Sequence, residues 1–302
     1  DHEAVVLVVD IGGGTSDFTV VRLGPGRMGR ADRLGDVLAT TGVHVGGTDF
    51  DRRLSLELLM PLLGFRHLGP SGREVPSRVF FDLSTWHLIQ WLYSPKALRD
   101  AQALRTDYAD QRLHARLMTV LNERLGHKLA NAMEQAKIAA SVSHADAPIP
   151  LDWIEPALAS CVTPEGLEQH LDCPLAQVVA CAQQCLQRAG LQAAGLHAIY
   201  LTGGSSALRP LRDALRKAFP DTAQVEGDLF GGVAMGLAVA PCFAIKREAA
   251  SACGISARAA FSSHLICPCV DWRAPADLAR PLRLSPSRVV FALALPSAPS
   301  FP

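Results

Sequence analysis

The sequence predicts an α/β protein: a strand meander with a glycine-rich turn, then a long helical stretch, then a second strand, glycine turn and helix. Three observations predict it. The apolar run Val5–Val9 ends at Asp10, passes through Gly12, Gly13, Gly14 and Thr15, and resumes with the β-branched stretch after Asp17. Residues 107–143 repeat Leu113, Leu117, Val120, Leu121, Leu125, Leu129 and Ala136 at helical steps of three and four. The buried-strand pattern Ala198–Thr202 runs into Gly203-Gly204-Ser205-Ser206, with Pro210 suited to the first turn of the helix that follows.

Taken in order, Val5–Val9, Asp17–Leu23 and Asp36–Thr41 are expected strands, with turns at Gly12–Gly14 and Gly24–Gly29. Gly46-Gly47 precedes a helix that Thr48 or Asp49 can cap and whose Leu54, Leu58, Leu59 and Leu62 share a face, ended by Pro61 and Gly64. Trp86, Leu88, Ile89, Trp91 and Leu92 form an apolar patch. Residues 148–162 read as a short strand with turns, and 163–190 as an amphipathic helix broken near Pro174. Small residues in Gly227–Ala240 suit a helix packed closely on a neighbouring turn.

The first glycine turn carries the chemistry. Glycines let the backbone approach a ligand and aim successive N–H groups at an anion. Thr15 adds a hydroxyl, and Asp10 and Asp17 suit a hydrated Mg²⁺ beside phosphates. No Lys-Ser/Thr pair follows, so this is not a Walker loop. A strand rather than a helix comes next, so it is not a dinucleotide fingerprint. The plain alternative is a glycine-rich hairpin with incidental acids. The second turn, between a strand and a helix N-terminus, makes another corner for an anion or sugar.

Composition narrows the partners. The 302 residues carry 29 basic and 29 acidic side chains, so no nucleic-acid partner is expected. The longest apolar runs, Val5–Val9 and Val289–Leu295, are far below a membrane span, so no membrane partner is expected. The start Asp1-His2-Glu3 lacks the basic and apolar regions of a signal peptide and has no initiator methionine, which suggests a fragment. The eight cysteines lack the paired spacings of a zinc site. Reduced, mostly buried thiols in a cytoplasmic protein are the better reading.

The final 54 residues differ from the rest. After Glu248 there is no Lys or Glu, while seven of the chain's 20 prolines fall there. A disordered or aberrant tail over 249–302, such as a shifted-frame read-through, is expected.

Superfamily and family follow from motifs in order. The stretch Asp10–Asp17 resembles the second phosphate loop of the actin-like ATPases: actins, sugar kinases and the 70-kDa heat-shock chaperones. With Gly46-Gly47-Thr48-Asp49-Phe50-Asp51, the helix Met133–Ser141, Tyr200–Ser206 and Gly231–Ala238, the chain resembles the DnaK-type 70-kDa heat-shock nucleotide-binding domain, most of all its YegD-like branch. The resemblance covers about 4–247. It implies an actin-like ATPase (ribonuclease H-like) lobe, formed by 1–45 and 163–248, with an inserted helical α+β subdomain at 46–162.

In the family, ATP or ADP with Mg²⁺ lies between two lobes, and this chain matches only the second. By resemblance, Asp10 and Asp17 lie near Mg²⁺, held through water, and with Thr15 near the attacking water. Gly12, Gly13, Gly14 and Thr15 wrap the phosphates. Glu134, Lys137 and Ser141 touch the adenosine, and Gly203, Gly204 and Ser205 back the ribose and phosphates. An ordinary surface pair at a three-residue step is the alternative for Glu134 and Lys137. Three positions depart from the family. Its adenine-stacking arginine is Ile138 here, the arginine after its glycine turn is Ala207 with Arg209 two residues on, and its last acid is replaced around Phe230, with Asp228 close.

The other phosphate loop and the lysine needed for hydrolysis belong to the absent first lobe. The expectation is therefore a fragment, the ATP-binding half of a chaperone ATPase, whose hydrolysis needs a complete parent. Unfolded clients or co-chaperones would act through that parent. The alternative is a non-catalytic actin-fold module that binds a protein partner; half of a sugar or acetate kinase is a weaker candidate, because no substrate-specific acid loop is visible.

Overall fold

The computed structural model describes residues 3–28 and 33–227. The helix expected within Gly227–Ala240, Asp228, Cys267, Cys269, Val289–Leu295 and the 249–302 tail lie beyond Gly227, outside them.

A mixed five-stranded sheet forms the centre. Strands β1 (Ala4–Ile11), β2 (Ser16–Leu23) and β3 (Val37–Val43) make an antiparallel meander. A one-turn helix α1 (Pro25–Met28) follows β2. Helix α2 (Gly47–Leu58) leads into α3 (Arg78–Leu83), α4 (Pro95–Ala103), α5 (Gln111–Asn122) and α6 (Gly126–Ser143). Strands β4 (Ala147–Pro150) and β5 (Ala159–Val162) pair as a separate two-stranded sheet. The chain then runs through the long helix α7 (Pro164–Arg188) and returns as β6 (Ala198–Thr202), α8 (Arg209–Ala218) and β7 (Ala223–Glu226).

The return decides the topology. β6 adds in parallel to β1, and β7 adds in parallel to β6, giving the order β3-β2-β1-β6-β7. β1 therefore sits in the middle, and its Val6–Val9 run is buried on both faces. That explains why the run is continuous rather than alternating. One face, with Leu7, Val9, Phe18, Val20, Ile199 and Leu201, joins the main core with α7 and α8. The other carries Val6, Val8, Val21, Ala198 and Tyr200. The mixed sheet and α/β content are consistent with an actin-like ATPase fold.

Several local expectations need revision. α7 is not broken at Pro174, which lies inside one continuous helix. Leu171, Leu175, Val178 and Ala182 are buried along that helix, and this packing outweighs the missing N–H. Thr48 and Asp49 are not the N-cap of α2. Gly46 holds that position, its N–H donating to Asp49 Oδ2 at 2.9 Å. The apolar patch splits: Ile89 and Leu92 are buried, while Trp86 and Trp91 are exposed. Of the four described cysteines, all free, Cys181 and Cys185 are buried and Cys173 is exposed. No helix among the described residues is long and apolar enough to cross a membrane.

Candidate functional site

The β1–β2 register sets Asp10 opposite Asp17 on the last rungs before the turn. The chain reverses through Gly12–Thr15, closed by the Gly12 N–H donating to the Thr15 carbonyl at 3.0 Å. The turn is held from behind. The Gly47 N–H donates to the Gly12 carbonyl at 3.0 Å, and the Thr48 N–H to the Gly13 carbonyl at 2.8 Å. The Thr48 hydroxyl adds a bond to the Gly13 carbonyl at 2.7 Å, and the Ser205 hydroxyl one to the Gly12 carbonyl at 3.1 Å.

These bonds orient the peptide groups. In a trans peptide the C=O of one residue and the N–H of the next point in opposite directions. With the Gly12 and Gly13 carbonyls turned into the protein, the N–H groups of Gly13 and Gly14 face outward. Both residues are exposed, and neither N–H has an acceptor among the described residues. Two outward amides on successive residues suit an anion.

The corner admits no side chains at its joints. A Cβ on Gly46 would lie 2.6 Å from the Gly13 carbonyl oxygen, and one on Gly47 2.3 Å from Ser205 Oγ. Gly203 has φ +80°, and its Cβ would meet the Ile11 carbonyl oxygen at 2.4 Å and Asp10 Oδ1 at 2.6 Å. The outward rim is open: a Cβ on Gly13 would find its nearest neighbour, Thr48 Cγ2, at 3.9 Å, and one on Gly14 would meet nothing within 4 Å.

Acidic groups lie beside the turn. The Thr15 hydroxyl donates to Asp17 Oδ2 at 3.1 Å. Burial, reinforced by the Asp17 charge, pushes the Asp10 carboxyl above its usual range. A carboxylate held so, next to a second one, favours a cation at this spot. Among the described residues no cluster of three or more His, Cys, Asp or Glu forms a metal cage. Such a pair suits Mg²⁺ retaining water and phosphate ligands rather than an all-protein site.

The Asp10 charge has a measurable consequence. Its folded-state pKa is raised above that of an ordinary aspartate, so ionisation disfavours the fold once the pH exceeds about 4. Asp10→Asn is expected to raise the thermal midpoint at neutral pH and to have almost no effect in acid. Equal shifts in melts at both pH values would contradict this.

Helix α6 is placed differently from the turn. Its Glu134 is exposed, but Lys137 is buried, with Nζ 2.8 Å from Asp51 Oδ1 of α2. Ser141 is also buried, its Oγ accepting the Arg209 N–H at 2.9 Å at the start of α8. Lys137 is therefore no surface partner of Glu134. Burial pushes the Asp51 carboxyl up, an effect that Lys137 opposes and the Glu134 charge reinforces. Lys137 and Ser141 clasp α6 to α2 and α8. The structure thus brings Asp10, Gly12, Gly13, Gly14, Thr15, Asp17, Gly203 and Ser205 together, with exposed Gly204 alongside, and engages Lys137 and Ser141 internally.

Sequence reasoning missed Thr48 and Asp51 as structural members of this region. Thr48 follows a glycine pair that lets backbones touch, and Asp51 is a second acid two residues after Asp49, which is the signal that was available.

The whole turn, β2, β3 and the α2 joint fall within the segment that a family comparison recognises. Residues 1–61 match the family described as Hsp70 protein. The match supports membership of the Hsp70 family and a chaperone ATPase type of function. Hsp70 proteins in general bind ATP or ADP with Mg²⁺ and work with client proteins and co-chaperones. The Hsp70 match includes Asp10, Gly12–Asp17 and Gly46–Asp51; Glu134, Lys137, Ser141 and Gly203–Ser205 lie outside it.

Proposed function

We propose that this chain is the ATP-binding half of a heat-shock-type chaperone ATPase, the second lobe of its nucleotide-binding domain and of the YegD-like branch. In this reading 1–45 and 163–248 form the core lobe and 46–162 the inserted helical subdomain. The observation that carries it is the outward pair of Gly13 and Gly14 amides, fixed by bonds on their carbonyl side. Anchored donors need no rearrangement to meet a phosphate. Thr15 and the Ser205 corner flank them. Asp10 and Asp17 would hold Mg²⁺ through water, and the ion would neutralise charge on the phosphates. Asp17, oriented by Thr15, would position the attacking water. Hydrolysis would require a complete parent, since clamped phosphates need both walls of the cleft. A cytoplasmic location belongs to the same reading.

One observation favours a second reading, a non-catalytic actin-fold module that binds a protein partner. Lys137 and Ser141 are committed to Asp51 and Arg209, and Ile138 is an exposed apolar residue where the family has its stacking arginine. Fewer groups are then free for adenosine.

The test uses the open rim of the turn. Gly13→Val has room within the protein but places a branched side chain where the phosphate must approach. In a full-length parent, ATP affinity should fall at least about 100-fold, the loss of nearly 3 kcal/mol of binding, with thermal stability retained. Asp17→Asn should slow hydrolysis and leave binding largely intact. Unchanged ATP affinity in Gly13→Val would sink the proposal and favour the partner-binding module.

A further inference from the structure

The opposite side of α2 carries a feature that the nucleotide reading does not use. Asp49, Arg52, Arg53 and Leu56 recur at three- and four-residue steps and so share one helix face. That face looks into a groove of about 450 Å³ completed by His44 and Val45 after β3, Phe81 of α3, and Cys173, Pro174 and Gln177 of α7. Its volume falls in the range of about 300–1,000 Å³ typical of binding clefts.

The groove combines positive charge with an apolar floor. Asp49, its one acid, already accepts the Gly46 N–H at 2.9 Å. Arg52 is exposed and has no carboxylate partner among the described residues. Arg53 reaches Glu57 at 3.3 Å, but Glu57 is gripped more closely by both terminal nitrogens of Arg66, at 2.9 and 3.2 Å. Among the described residues Arg52 is thus unpaired at the rim, and Arg53 holds only a carboxylate that it shares with Arg66. Val45 and Leu56 line the groove and are nearly buried, while the Phe81 ring is 39% exposed. Guanidiniums bind carboxylates through paired, charge-assisted bonds. An aromatic ring beside them supplies the anchor that interface hot spots favour.

We propose that this groove docks an extended acidic segment of a partner protein, with carboxylates on Arg52 and Arg53 and a neighbouring bulky apolar side chain on Phe81. The charge pattern selects the occupant, since a basic or neutral segment would leave Arg52 unmatched and Arg53 with only its share of Glu57. The inference is independent of the nucleotide reading.

The exposed thiol of Cys173 reports on occupancy. A short fluorescent peptide of alternating Glu/Asp with a central Leu-Phe is titrated into the full chain by anisotropy, beside its Gln/Asn counterpart. In parallel, maleimide labelling of Cys173 is followed by peptide mass spectrometry. The acidic peptide should bind at least tenfold more tightly than the neutral one, weaken as salt is raised, and slow labelling of Cys173 but not of Cys161. Arg52→Glu with Arg53→Glu should weaken it about tenfold or more, and Phe81→Ala several-fold. Arg52→Gln, a surface change that keeps the fold, should give an intermediate loss. Equal binding of both peptides, no protection of Cys173, or affinity insensitive to the arginine changes would each overturn the proposal.

Discussion

Gly203→Ala should be among the most damaging single changes in this chain, lowering folding stability by about 2–6 kcal/mol in urea denaturation. About 1–3 kcal/mol is the cost of a non-glycine residue in an unfavourable positive-φ conformation. A comparable amount is the cost of forcing a methyl group into packed surroundings. At Gly203 the obstacles are the Ile11 carbonyl at 2.4 Å and Asp10 Oδ1 at 2.6 Å, and the former is backbone at the end of the central strand. Gly13→Ala provides the contrast. Its Cβ enters open space, so stability should stay within about 1 kcal/mol of wild type. A Gly203→Ala midpoint close to wild type would show that the two corners are not packed as described.

Lys137→Met should cost about 3–5 kcal/mol at neutral pH, because it leaves the Asp51 carboxylate buried without its cation. The pH dependence fixes the cause. Burial already holds the Asp51 carboxyl above the ordinary aspartate range, and losing Lys137 raises it further. An acid with a raised folded-state pKa disfavours folding increasingly as pH rises from the unfolded value through the folded one. The deficit should therefore be small below about pH 4 and grow toward neutrality. Adding Asp51→Leu should restore most of the loss, since both charges are then gone. Denaturation curves of the single and double variants at acid and neutral pH decide it. A loss that is the same at every pH would mean Lys137 matters for its packing alone.

Much of the fold was legible because its signals are local. The Val5–Val9 run, the glycine turn and the branched residues after Asp17 define a hairpin without reference to anything distant. Pro210 and the amphipathic pattern of 211–219 likewise define α8. The residues of the glycine turn could be named one by one for the same reason. What stayed hidden depends on residues far apart in sequence. Pro174 reads as a helix break until the burial of its neighbours is known. Lys137 reads as a surface partner of Glu134 until α6 is laid against Asp51. Cys173 reads like the other thiols until α7 turns it toward α2. The groove of Arg52, Arg53 and Phe81 has no local signature, because it exists only where three helices and a strand end meet.

The parallel partner of β1 reaches the sheet very late. Val6 pairs with Ala198, and the Val5 N–H donates to the ring of His197, residues separated by 192 positions. During synthesis the hairpin and β3 can form early, but one long side of β1 has no neighbour until β6 has emerged. For that interval an apolar strand offers a row of free N–H and C=O groups, the template on which edge-to-edge aggregation starts. Closing so long a loop is also slow. A chain that ends short of β6 would keep the sticky edge permanently, so every shortened version that retains the glycine turn should carry β6 as well.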